Sequence, residues 1–137
     1  MQKIVVYGNS DKRPKLGFPT EADFNRYLKE ELFAKENGRY HYTQRQKADI
    51  IVVSREGYAY GHLCVTDPEG ELPNEADRKS YPPVKRVYVI SKSVVYNNKV
   101  RLKDVGVLGI QFGKSISKDV FNEIQKLSKG GEEFSGA

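Results

Sequence analysis

Hydrophobic and polar positions along this chain follow two periods, and the switches between them mark its elements. Lys3 to Tyr7 (KIVVY) is a short β-branched run, and Gly8 to Pro14 after it is polar and punctuated by Gly and Pro. Thr20 to Asp23 (TEAD) has the spacing of a helix-capping box. Phe24, Tyr27, Leu28 and Leu32 then recur at helical spacing until Asn37-Gly38 supplies a stop. The most apolar stretch, Ile50-Ile51-Val52-Val53, leads to Glu56-Gly57, and Tyr58 to Val65 resumes a β-rich pattern with Gly61 in its middle. Two such runs across a short glycine-bearing loop predict a β-hairpin, its first arm central in a sheet because it is apolar on both faces.

The second half is less regular. Asp67 to Pro83 carries Pro68, Gly70, Pro73, Pro82 and Pro83 and predicts a long irregular connection, of a length usually functional or disordered. Val84 to Ile90 (VKRVYVI) alternates as a strand, apart from Lys85. Ser91 to Val107 supports either a second hairpin around Asn97-Asn98 or a loose excursion. After the glycine-containing run Leu108 to Ser115, Ser117 caps a final helix with a stripe of Val120, Phe121, Ile124 and Leu127. Residues 128–137 are rich in Gly, Ser and Glu and read as a flexible tail or linker, which leaves 1–127 as the domain. The order β-α-β-β-β-loop-β-α, with a further strand open between the last two, predicts an α+β fold around a curved sheet.

Composition narrows the chemistry. The 137 residues suit one domain, and the single cysteine, Cys64, excludes an internal disulfide and reads as a small buried hydrophobe. There is no Cys/His cluster for zinc, and no stretch reaches the roughly 18 apolar residues of a membrane span. A soluble cytoplasmic protein without metal or cofactor is expected. Asp67 to Pro83 holds five acids and two bases, a net of −3 within a chain of net +5, which leaves +8 on the remainder. A basic body with nine tyrosines suits a nucleic-acid partner.

The segment Arg39 to Lys47 (RYHYTQRQK) interleaves bases with Tyr40 and Tyr42. Extended, it sets the two tyrosines on one face and Arg39 and His41 on the other. Two readings stay open: rings that stack on bases beside phosphate-holding cations, or a strand with its tyrosine face packed on the core. Enzymatic signatures are absent. There is no phosphate loop, no His-x-x-x-His pair and no nucleophile elbow, and His41 and His62 lie in different segments. His62 reads as a satisfied or surface residue. No catalytic residue is expected, unless Asp49 or the acids of the long connection converge.

The series ADIIVVSREGYAYGHLCV, a long variable loop, VKRVYVISKSVV and GIQFGKSISKDVFNEIQKL resembles the PUA-like superfamily, and within it the YTH and EVE branches. The resemblance rests on the order and spacing of parts from Lys3 to Leu127. It implies a curved, barrel-like mixed sheet with flanking helices that holds one flipped base of a nucleic acid. Carried over residue by residue, the base pocket is Tyr7, Asn9 and Ser10, Tyr40 and Tyr42, and Tyr81. Phosphate contacts fall to Lys114, with Lys12 and Arg45. YTH cages use tryptophan, and this chain has none, so tyrosines would stand in those places. Similar domains read modified DNA at the N-terminus of McrB-type restriction proteins. The implied partner is therefore DNA ahead of RNA, with a C-terminal motor domain and a nuclease. The alternative is a PUA-like RNA-binding module.

Overall fold

In a computed structural model, the structure describes residues 2–9, 20–42, 47–80, 84–108 and 113–136. The two arms of the central hairpin are β3 (Ile50–Arg55) and β4 (Tyr58–Val65). Arg55 pairs with Tyr58, so Glu56 and Gly57 alone make the turn, and both have positive φ (52° and 83°). This is the primed turn whose twist matches that of the strands it joins. β1 (Ile4–Asn9) lies parallel to β3, from Ile4 opposite Ile50 to Asn9 opposite Arg55.

Parallel pairing buries both strands on both faces, and the apolar runs split by parity as the pleat requires. Val5, Tyr7, Ile51 and Val53 enter one core with Phe24, Leu28 and Leu32. Ile4, Val6, Ile50 and Val52 enter a second with Phe121 and Ile124. The first helix therefore covers one face of the sheet and the last helix the other.

That first helix begins as α1 (Glu21–Arg26), with the Thr20 side chain accepting from the Asp23 amide as the capping spacing predicts. A π-helical turn over Tyr27–Glu31 joins it to α2 (Leu32–Ala34). Phe24, Leu28 and Leu32 are four apart and would drift by about 40° per step around a 3.6-residue helix. The wider turn returns them to one face, and all three are buried. Gly38, at φ 73°, precedes β2 (Arg39–Tyr42).

β5 (Arg86–Arg101) departs from expectation. It runs 16 residues without a hairpin, and Asn97 and Asn98 lie within it. One edge pairs with β4, while the other pairs with β2 over Arg86 to Val89 and with β7 (Gly131–Phe134) over Ser93 to Tyr96. Two irregularities against β4 bend the strand, which is how one element serves several neighbours. β7 also corrects the reading of 128–137 as a tail. Its few side chains bury little, but its backbone supplies the hydrogen bonds that β5 lacks on that edge.

β6 (Lys114–Ile116) pairs with β1, and α4 (Lys118–Ser128) starts from a Ser117 cap. Of its predicted stripe, Leu127 stays 40% exposed at the rim. Cys64 is half-buried. The connection after β4 is partly ordered by α3 (Glu75–Ser80) and an isolated bridge from Glu71 to Val87. The sheet order is β2-β5-β4-β3-β1-β6, with β7 on β5. The fold is mixed α+β, with a strongly curled half-barrel sheet and few helices. Among the described residues, no helix is long and apolar enough to cross a membrane.

Candidate nucleic-acid interface

β1 and β2 are separated by three strands in the sheet order, yet Tyr7 and Tyr40 meet edge-to-face with centroids 6.2 Å apart. Only the curl of the sheet makes that contact possible, because neighbouring strands alone are about 4.8 Å apart. Both rings are buried, at 3% and 4% exposure. For Tyr40 the core reading of the Arg39–Lys47 segment therefore describes the structure. The ring packs inward and is not an open stacking wall.

Lys114 lies in β6 opposite Val6, one position from Tyr7 in β1. Its ammonium is exposed and donates to the Leu108 carbonyl at 3.2 Å. Of the predicted residues the structure therefore brings Tyr7 and Tyr40 together, whereas Lys114, opposite Val6, stands on the other face of the sheet. Asn9 and Tyr42 end β1 and β2, but their side chains lie outside the described residues, as do Ser10, Lys12, Arg45 and Tyr81.

The predicted alternation holds on the outer face of β2. Arg39 and His41 point away from the core, and both reach Asp77 of α3. Arg39 Nη2 lies 2.8 Å from Asp77 Oδ2, and His41 Nε2 lies 3.0 Å from Oδ1. Asp77 and Asn74 also cap one another reciprocally, each backbone amide donating to the other's side chain at 2.8 and 2.9 Å. Burial pushes the Asp77 carboxyl up. The bonds from Arg39, the Asn74 amide and His41 outweigh it and hold the group below its usual range.

The acids of the connection therefore converge on cations. Asp49 is occupied by the Lys3 amide at 2.7 Å. Among the described residues, no three His, Cys, Asp or Glu side chains are grouped to hold a metal.

Two concavities were not foreseen. A cleft of about 420 Å³ opens between α1 and β5, with Asn25, Lys29, Tyr60, Asn98 and Lys99 on its walls. Lys99 sits 4.7 Å from the Tyr58 ring centroid and pairs with Glu21 at 3.0 Å. Tyr60 is 5% exposed and belongs to the core and to the cleft's wall together. A smaller cleft of about 220 Å³ lies where β5, β7 and α4 meet. There the His62 Nδ1 is 2.9 Å from the Tyr96 hydroxyl. Burial, with Lys92 second, pushes the imidazole down to about 4. Both clefts depend on the unbroken course of β5, and β5 read as ambiguous.

No family model, curated protein or solved structure matches this chain.

Proposed function

We propose that this chain is a nucleic-acid-binding reader with a PUA-like fold. It takes one flipped base, a methylated one in DNA, where Tyr7 of β1 meets Tyr40 of β2. The observation that carries the reading is the Tyr7–Tyr40 contact. Residues 33 positions apart, assigned to one pocket by resemblance alone, touch across a curled sheet. The net charge of +5 supports a phosphate-bearing partner.

The burial of the two rings changes their part in the reading. In this reading they are the floor of the pocket, and the other side chains that the resemblance assigns to it lie outside the described residues. A flipped base forfeits a few kcal/mol of stacking, which edge hydrogen bonds and contact with aromatic surface must offset. A methyl group on the base adds about 0.8 kcal/mol when buried, or about four-fold in affinity. In this reading the module targets a modification-dependent restriction system, working with a motor domain and a nuclease.

Fluorescence anisotropy with methylated DNA, plain DNA and RNA of one sequence tests this. Binding to methylated DNA about four-fold or more tighter than to plain DNA is expected. Equal affinity for the two overturns the reader assignment. A marked preference for RNA replaces it with an RNA-binding module.

A further inference from the structure

Acids of the connection pair with cations of the basic segment before β3. Glu69 Oε1 lies 2.7 Å from Lys47 Nζ, Glu71 Oε1 lies 3.0 Å from Arg39 Nη1, and Asp77 holds Arg39 and His41. Three of the connection's five acids therefore lie against Arg39, His41 and Lys47. These contacts fall into two kinds. Asp77 is 6% exposed at its side chain and bound on several sides. The side chains of Glu69 and Glu71 are 58% and 53% exposed, and such pairs exchange readily with water and salt.

The backbone does not need to move for that exchange. Glu71 is tied to β5 through its amide and carbonyl, at 2.8 and 2.9 Å from Val87. The Glu69 carbonyl accepts from the Arg86 guanidinium. Only the carboxylates swing.

We infer that Glu69 and Glu71 are an intramolecular cover over a phosphate-binding edge formed by Arg39 and Lys47, with Asp77 as the fixed point that keeps the cover in register. This rests on the reading of the chain as a nucleic-acid binder. Phosphates of the strand take the places of the two carboxylates, so the cover is a built-in competitor that lowers affinity for any polyanion. Arg39 stands on the face of β2 opposite Tyr40, so this edge holds phosphate on the outer side of the sheet, apart from the rings of the proposed pocket.

The test uses the double variant Glu69→Gln/Glu71→Gln. A second double variant, Glu123→Gln/Glu132→Gln, makes the same charge change at exposed acids that form no ion pair among the described residues. Plain-DNA affinity at low salt and the salt needed to elute each protein from immobilised heparin are measured. The cover variant is expected to bind DNA about five-fold tighter than wild type and to elute from heparin at clearly higher salt than the control, which changes less than two-fold. Equal behaviour of the two doubles on heparin overturns the cover, whatever happens with DNA. Separation on heparin, with no protein binding any nucleic acid, keeps the cover and overturns the proposed function.

Discussion

His62 shows how burial converts one side chain into a pH-dependent stability. The imidazole sits at 6% exposure and has its proton affinity pushed from 6.5 to about 4, so the native state keeps it neutral while the unfolded chain protonates it. Stability therefore falls as pH drops through this window, by about 3 kcal/mol in all. Asp77 acts in the same direction but lower, below its ordinary 3.8, because its depressed carboxyl is ionised in the fold and protonated first in the unfolded chain. Urea unfolding from pH 7 to pH 4 should show wild type losing about 3 kcal/mol relative to His62→Gln, most of it below about pH 6. A difference that does not vary with pH would mean that the ring is hydrated.

At this scale the sequence was legible where alternation alone decides. The pleat puts Tyr40 opposite in direction to Arg39 and His41, and so they stand. Which face met the core was not legible, because Tyr40 is equally at home on a base or in a core. The choice fell to the curl that brings Tyr7 onto it, a property of no local pattern.

Among the elements, the β3–β4 hairpin separates two demands on glycine. Gly57 has φ 83° with nothing within 4 Å of an added Cβ, so Gly57→Ala meets backbone strain only, about 1 kcal/mol. Gly61 lies at the bulge against β5, where a Cβ would come 2.2 Å from the Val94 carbonyl oxygen. Gly61→Ala must push two backbones apart and should cost about 3 kcal/mol. Chemical denaturation of both variants checks the order, and equal losses would remove the close approach from the account.

The hairpin itself was fully legible, since apolar runs and turn chemistry agree there. β5 was not. Asn97-Asn98 reads as a turn, but Asn97 is held by the Lys129 and Gly130 carbonyls and so stays in the strand. For the same reason β7 escaped notice. A strand that contributes backbone pairing and little apolar surface has almost no signature in its side chains.

For the molecule as a whole, the division of charge is the feature on which the functional account turns. The chain has net +5, and one connection holds five of its eighteen acids, three of which lie against Arg39, His41 and Lys47. A surface satisfied in this way has little field to show until a partner competes for it. Composition made the two charged stretches visible but not their contact, because the pairing spans from 22 to 38 residues of sequence. The α+β class and the curved sheet were legible from element order. The meeting of Tyr7 with Tyr40 was expected only through resemblance.

The central claim is that a nucleic acid binds where β1 and β2 meet. Amide chemical-shift mapping during titration with a short methylated DNA duplex tests it most directly. The account predicts the largest shifts at Gly8 and Asn9 and at Arg39 to Tyr42, with β7 and the exposed face of α4 unmoved. Shifts confined to the cleft between α1 and β5, or none at saturating DNA, would contradict it.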